Sequence, residues 1–420
     1  MCGFINFKAI QSAGRIGIYM DFIFDVRFSD DRRGNADAKV TINIPSGILA
    51  VLYWADENGK PLEDYLPIKA LALIDGKAEY SLEHNRMIPE NAKKILCKVY
   101  NDFMYEIVLP ELCADIPEEK LIAERKPDLR VFVTSDLHFG GKYFHNDRNR
   151  ALAFKYMSEA NPDFILISGD ITDNSYPEEF SEAFDTINAV FGKIPVFVGA
   201  GNHDYSPYKP GATPHFDEMH DFFVKQCERN AALGVTVNDL NDRNYFEARF
   251  GNVQVLMLNA NDVGNHFEVG ENERLWMDNK LAETDGKDVY RFVVTHFHQQ
   301  NTVGCSERKA GKNFFRDNDQ TQELLDRHGK IIHVSGHTHY NFDSDMPNTY
   351  FDNAHSNLYL NAGCAVWNGV DMEERREYYL QDRCTGQLIE FYSDGTVISR
   401  GVDFVSGKYI PRCLHKANVF

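Results

Sequence analysis

The sequence predicts an α/β domain of strand–helix–strand units, preceded by a β-rich region. Three observations predict it. Five short apolar runs each end in glycine, aspartate or histidine, as buried strands do when they deliver polar loops. Between two of them, Phe180, Ala183, Phe184, Ile187, Val190 and Phe191 follow the i, i+3, i+4, i+7 spacing of an amphipathic helix. Ahead of all five, apolar residues alternate with polar ones at period two, the mark of half-buried strands.

The β-rich region covers residues 1–125. Phe22, Phe24, Val26 and Phe28 alternate, as do Val40, Ile42 and Ile44. Val51 to Trp54 and Ala70 to Ile74 are further strands, with turns at Glu57-Asn58-Gly59 and Asp75-Gly76. Two more run from Ile95 to Tyr100 and from Tyr105 to Leu109. Short strands at even spacing with turn signals between them predict a sandwich of the immunoglobulin or fibronectin kind. His84 stands alone there and reads as a surface residue. Ala114 to Asp128, charged and carrying Pro117 and Pro127, reads as the linker. The second domain is then residues 126–420.

From Leu129 the pattern becomes βαβ. A helix from Arg148 to about Glu159 separates the first two runs, and the Phe180 helix separates the next two. Such units imply a locally parallel sheet. Pro214 to Ala232 and Glu271 to Leu281 read as helices. Asn244 to Phe250 and Val253 to Asn259, flanking Gly251-Asn252, read as a hairpin. Strands close the chain at Leu358 to Asn361, Gln387 to Tyr392 and Val397 to Arg400.

Composition narrows the partners. The chain carries 63 acidic and 44 basic residues, a net charge of −19. Such a surface repels long polyanions, so general nucleic-acid binding is not expected, while a small phosphate ester is compatible once metal ions invert the local field. No apolar run approaches the ~20 residues that span a bilayer, and Ile16 to Phe28 is broken by Asp21, Asp25 and Arg27. The eight cysteines are scattered without a CxxC pair. Reduced thiols, no membrane and a cytoplasmic location are therefore expected. Oligomeric state is not legible.

The polar ends of the five runs carry the chemistry. Ser135-Asp136-Leu137-His138 follows Arg130 to Thr134, and Gly169-Asp170-Ile171-Thr172-Asp173 follows Phe164 to Ile167. Gly201-Asn202-His203-Asp204 follows Ile194 to Val198. Thr295-His296-Phe297-His298 follows Phe292 to Val294, and Gly336-His337-Thr338-His339 follows Ile331 to Val334. Asp136, His138, Asp170, Asn202, His203, His296, His337 and His339 would thus converge on one sheet rim. Two divalent ions need a bridging carboxylate plus terminal nitrogen and oxygen ligands. Mixed imidazole, carboxylate and amide donors suit zinc, manganese, iron or cobalt. In an extended loop, residues i and i+2 point the same way, so Asp136/His138 and His337/His339 can each face one centre. His298, two positions after His296, is a candidate for contact with a phosphate oxygen, with a supporting or solvent-facing role as the alternative, and His333 reads as a core histidine. Lys142, His145, His215 and Trp367 fall in loops that can overhang the site.

The order D-x-H, G-D-x-x-D, G-N-H-D, H, G-H-x-H resembles the calcineurin-like metallophosphoesterase superfamily, over about Leu129 to Arg400. The resemblance implies a four-layer αββα fold and two transition-metal ions, manganese, zinc, iron or a mixture. It implies that Asp136, His138 and His339 hold one ion, that Asn202, His296 and His337 hold the other, and that Asp170 bridges them. It assigns His203 to the leaving group as general acid, with Asp173 behind it, and Asp204 to loop support. Purple acid phosphatases of the superfamily carry tyrosine where this chain has Asp173, so no tyrosinate–iron centre is expected. Protein phosphatases usually carry arginine where Asn174 and Tyr205 stand, which disfavours phosphoprotein substrates.

The implied reaction is hydrolysis of a small phosphate ester by a hydroxide bridging the two ions. Diesters are slightly favoured over monoesters, because no arginine follows Asp173 or Asp204 to clamp a dianion. A phosphomonoesterase or nucleotidase is the alternative within enzymes. A non-catalytic scaffold of the same fold would lack one of Asp170, Asn202, His203 or His337, and this chain has all four.

Overall fold

The computed structural model describes residues 23–28, 37–44, 47–82, 87–89, 91–107, 112–117, 126–142, 146–205, 215–241, 245–259, 261–262, 267–306, 318–342, 347–370, 378–380 and 383–418. His84 and His145 lie outside these residues.

Among the described residues of the N-terminal region, alternation produces seven strands: β1 (Ile23–Phe28), β2 (Ala38–Asn43), β3 (Leu49–Ala55), β4 (Lys69–Ala72), β5 (Lys77–Ser81), β6 (Lys94–Tyr100) and β7 (Leu112–Asp115). They form two sheets, β1-β2-β5 and β4-β3-β6-β7. Val40, Ile42, Leu52, Trp54, Ile95 and Val99 are fully buried between them. Of the expected strand Tyr105 to Leu109, residues 108–109 lie outside the described residues; within 105–107, Glu106 bridges to Tyr100, and a further strand forms at Leu112–Asp115, with Ala114 opposite Ile95. Burial beside β6 thus extends the strand into the expected linker.

The second region begins with β8 (Leu129–Thr134), α1 (Asn146–Glu159), β9 (Phe164–Ile167), α2 (Pro177–Phe191), β10 (Val196–Val198), α3 (Asn202–Tyr205) and α4 (Phe216–Ala232). There follow β11 (Thr236–Asn238), β12 (Phe246–Phe250), β13 (Val253–Met257), the two-residue strands β14 (Asn261–Asp262) and β15 (Phe267–Glu268), and α5 (Glu271–Ala282). Next are β16 (Tyr290–Val294), α6 (Asn318–His328), β17 (Ile331–Ser335), β18 (Thr349–Asp352) and β19 (Asn357–Asn361). The chain closes with β20 (Asn368–Val370), β21 (Tyr378–Leu380), β22 (Thr385–Phe391), β23 (Thr396–Asp403) and β24 (Lys408–Asn418). Among the described residues no helix is long and apolar enough to cross a membrane.

Two sheets dominate, β10-β9-β8-β22-β23-β24 and β11-β12-β13-β16-β17-β19-β18. Strands β8, β9 and β10 are mutually parallel, as are β13, β16, β17 and β19. Their inner faces meet through aromatic rings: Phe164 lies 5.5 Å from Phe292, which lies 5.7 Å from Phe391. Phe154, Phe180, Ile187 and Phe222 of α1, α2 and α4 join the same core from outside the first sheet. Met277 and Leu281 of α5 and Leu324 and Leu325 of α6 cover Val293 and Ile331 on the outer face of the second. Successive residues Phe292 and Val293 therefore serve opposite faces, as the pleat requires. The layers are helix, sheet, sheet, helix.

The N-terminal sandwich docks on β24. The Leu66 amide bonds the Tyr409 carbonyl at 3.1 Å, and the Met87 amide bonds the Leu414 carbonyl at 3.0 Å. Leu66 also packs on Cys305, Tyr340, Phe342, Ile410 and Cys413, so it sits behind the residue that follows His339.

Candidate metal centre

Parallel strands put their C-terminal ends on one rim, and every loop of interest leaves from there. Asp136 and His138 follow β8, Asp170 follows β9, Asn202 opens α3 after β10, His296 follows β16, and His337 and His339 follow β17. Two of the loops are not extended. Asp136, His138, Asp170, His337 and His339 all have positive φ, between 44° and 68°. The i, i+2 pairs converge because both members are left-handed, which corrects the extended-loop expectation. Such conformations cost an L-residue of order 1 kcal/mol or more each, and they persist where the surroundings over-determine them. The glycines serve close approach more than turning: a Cβ on Gly201 would collide with the Asp170 carboxylate, and one on Gly169 would sit 2.6 Å from His296 Nδ1.

The side chains gather into two groups that share Asp170. Asp136, His138, Asp170 and His339 form one, and Asp170, His296 and His337 the other; within each, the ligand atoms all lie within 4.8 Å of one another. His339 Nε2 is 3.1 Å from both Asp136 Oδ1 and His138 Nε2, and His296 Nε2 is 3.2 Å from Asp170 Oδ2. All but His337 are nearly sealed from solvent.

Outer contacts aim the inner atoms. His138 Nδ1 donates to the Asp173 carboxylate at 3.1 Å, and His296 Nδ1 to the Ser168 carbonyl at 3.1 Å. His339 Nδ1 faces the Cys364 sulfur at 3.2 Å and the Trp367 carbonyl at 3.3 Å. Each ring is left with Nε2 inward, the arrangement in which imidazole serves as a metal ligand. The carboxylates are divided likewise. Asp170 Oδ1 accepts from the His203 amide at 2.8 Å and Asp136 Oδ2 from the His337 amide at 3.2 Å, leaving the other oxygens to the centre.

What remains fits a cation. Asp136 Oδ1, Asn202 Oδ1 and His296 Nε2 are buried and make no hydrogen bond, and buried polar atoms seldom go unsatisfied. Burial opposes charge on His296, yet the Asp170 and Asp136 carboxylates push it up to about 9. Burial likewise opposes charge on His339, which its Cys364 and Asp136 neighbours hold well above the usual imidazole range. Burial, with His296 beside it, pushes His337 down to about 3. Paired buried carboxylates thus draw positive charge into a pocket of oxygen and imidazole donors, the donor set of transition-metal ions.

His203 belongs to the same rim. Its Nδ1 lies 2.9 Å from the Asp173 backbone carbonyl and 3.9 Å from the Asp173 carboxylate. Asp173 thus meets the His203 ring by its main chain and gives its carboxylate to His138. Asp204 is wholly buried and ties two loops together, its carboxylate accepting from the amides of Gly201, Ile171 and Thr172 and from the Thr172 hydroxyl. Burial and the nearby Asp170 charge push its carboxyl up to about 6.

His298 is not where a phosphate contact requires. It is wholly buried, with Nδ1 on Ser335 Oγ at 2.5 Å and Nε2 on Thr338 Oγ1 at 3.2 Å. The polar core beneath the site takes both nitrogens, which replaces the substrate-binding expectation with the supporting role. His333 is buried, 3.0 Å from Thr295 Oγ1. Lys142 is exposed, His215 is partly exposed beside Tyr176, and the Trp367 ring lies 3.9 Å from that of His339.

Two residues that sequence reasoning missed hold the ligand loops. Arg150, buried on α1 and stacked 3.9 Å from the Phe139 ring centre, donates to the carbonyls of Leu137 at 2.8 Å and His138 at 3.2 Å. An arginine on the packed face of a helix was the available signal. Cys364 had none.

Residues 129–341 match the family model described as calcineurin-like phosphoesterase. The chain is 24% identical over 180 residues to the probable glycerophosphodiester phosphodiesterase GpdQ of Arcobacter nitrofigilis, covering 42% of this chain and 57% of that protein. It is 28% identical over 118 residues to a transmembrane protein with metallophosphoesterase domain from Danio rerio, covering 28% and 26% of the two. It thus spans less than two thirds of the length of either curated relative. Among solved structures, a dimetal phosphatase from Danio rerio aligns over 70% of this chain and 100% of its own, at 12% identity and a TM-score of 0.47. Purple acid phosphatase PPD1 from yellow lupin aligns over 94% and 73%, again at 12% and 0.47. With more than half of its length matched by that family model, the chain belongs to the calcineurin-like phosphoesterases.

Proposed function

We propose that the chain hydrolyses a small, soluble phosphate ester, a diester in preference to a monoester, at a centre of two transition-metal ions. The observation that carries this reading is the convergence of six carboxylate and imidazole residues from four loops, with Asp170 common to both groups, and three buried polar atoms, Asn202 Oδ1 among them, left without hydrogen bonds. Asp136, His138 and His339 would hold one ion and Asn202, His296 and His337 the other, with Asp170 serving both. When bound, the two ions supply the positive charge that draws the phosphate and activates a water.

The chain's own residues do the rest. His203 is the general acid. A carbonyl only accepts, so its Nδ1 keeps the hydrogen bonded to Asp173, and Nε2 is the nitrogen that passes a proton to the leaving oxygen. Asp204 and Arg150 keep the loops in register. The N-terminal β-sandwich buttresses the catalytic region through Leu66. The diester preference rests on the absence of an arginine after Asp173 or Asp204, and the similar Arcobacter protein carries a phosphodiesterase name.

The test compares catalytic efficiency on bis-nitrophenyl phosphate and nitrophenyl phosphate at one pH and metal loading. Higher efficiency on the diester is expected. A strong monoester preference overturns the diester reading. No hydrolysis of either by protein carrying two ions overturns the hydrolase reading.

A further inference from the structure

We infer that Cys364 is a positioning residue for the metal centre: its thiol orients the His339 imidazole and ties the His339 loop to the Asp136 loop. This rests on the two-ion reading given above. Cys364 is fully buried on the segment after β19. Its sulfur lies 3.2 Å from His339 Nδ1 and 3.6 Å from the Asp136 carbonyl oxygen. Those two residues belong to one ligand group yet come from different sheets.

A thiol is both a weak donor and a weak acceptor. The S–H donates to the Asp136 carbonyl, and the sulfur lone pair receives the imidazole Nδ1–H, which the Trp367 carbonyl shares at 3.3 Å. With Nδ1 so engaged, His339 presents Nε2 to Asp136 and His138. The main chain around Cys364 staples the same two sheets. The Ala362 amide bonds the Ser335 carbonyl at 2.6 Å, and the Ala365 amide bonds the Ser135 carbonyl at 2.9 Å. The Thr385 amide holds the Cys364 carbonyl at 2.8 Å. Gly363, with φ of 80°, has no room for a side chain against Thr385. The sulfur is thus held in place from both sides. His138 and His296 rest on oxygen atoms, the Asp173 carboxylate and the Ser168 carbonyl, so a sulfur partner distinguishes His339 from them.

The experiment compares the full-length chain with Cys364→Ser, which keeps a donor and an acceptor, and Cys364→Val, which keeps bulk without either. Manganese and zinc binding are followed by calorimetry, and the cobalt-loaded proteins by their visible absorption. In Cys364→Val the affinity for one of the two ions falls about 10–100-fold, the usual cost of losing an outer partner of a metal-bound histidine. Its cobalt band shifts, and the other ion is retained. Cys364→Ser keeps both affinities within about threefold of the parent. The inference is overturned if Cys364→Val matches the parent in both affinities and spectrum. It is overturned equally if Cys364→Ser loses as much as Cys364→Val, since packing then explains the loss. If valine prevents folding, Cys364→Ala takes its place in the same comparison. A parent chain that binds no ion removes the two-ion reading and this inference with it. Two ions on the parent beside an unaffected Cys364→Val remove this inference alone.

Discussion

Replacing Asp170 with asparagine separates a metal-bridging carboxylate from a merely structural one. In the structure Asp170 Oδ1 accepts the His203 amide at 2.8 Å, while Oδ2 lies 3.2 Å from His296 Nε2 and 3.9 Å from His138 Nε2. Asparagine can keep its oxygen on the His203 amide, so the loop contact survives. Its nitrogen then faces the two imidazoles and offers hydrogen where a cation needs electrons. One unit of charge is worth about 4 kcal/mol against a unit charge at ~4 Å in an effective dielectric near 20. A divalent ion doubles that figure, and desolvation offsets part of it. A loss of at least ~4 kcal/mol, or about 1,000-fold in affinity, is therefore expected for each ion. Stability in excess chelator should change little, by ~1 kcal/mol or roughly 2 °C, because the variant also removes a carboxylate buried beside Asp136. Elemental analysis, calorimetry with manganese, and thermal denaturation in chelator together read both quantities. Asp170→Asn with both ions bound at parental affinity refutes the bridging role. A variant that denatures far below the parent in chelator refutes the claim that the carboxylate serves the ions more than the fold.

Three further outcomes follow from the same geometry. His203→Ala should retain both ions while turnover falls roughly 10²–10⁴-fold, with a smaller loss for nitrophenolate, which leaves without a proton; loss of metal in that variant contradicts the assignment. Arg150→Met removes the donors to the Leu137 and His138 carbonyls, so metal affinity and melting temperature should both fall, whereas unchanged metal affinity means that the loop holds without them. Burial pushes His333 down to about 3. Below its ordinary value near 6.5 the unfolded chain takes up a proton that the folded chain refuses, so its contribution to stability is whole above that pH and shrinks as the pH falls toward 3. Urea midpoints at pH 6.5 and 5 should show about 2 kcal/mol less of this acid sensitivity in His333→Gln, and equal slopes in parent and variant reject the account.

Much of this architecture is legible in the sequence because burial writes period. The runs ending at Thr134, Ile167, Val198, Val294 and Ser335 are mainly apolar strands in sheets covered on both faces, and polar residues dominate where the chain leaves the sheet. The helix Asn318–His328 left no such trace. It is mostly polar, and of its eleven residues only Asn318, Thr321, Leu324 and Leu325 are buried. The six carboxylate and imidazole residues that gather in the two groups were readable because donors of that kind have few substitutes. The hands that hold those donors were not, since Arg150 and Cys364 act across 12 and 25 residues on partners that only the tertiary fold brings near. His298 misled for a related reason. Spacing from His296 gave its direction only if the loop ran straight, and Ser335 and Thr338 on another strand end decided otherwise.

Both ligand groups draw on both sheets: His339 of the second sheet joins Asp136 and His138 of the first, and Asp170 of the first joins His296 and His337 of the second. Mechanically this makes the centre a rivet through two plates at their rim. Sliding one sheet past the other by a single residue, about 3.3 Å along a strand, would pull donors out of both groups at once. The sheets have no small relative displacement that spares one group and releases the other. Any rearrangement of the site must therefore occur in the loops above the rim and leave the plates fixed.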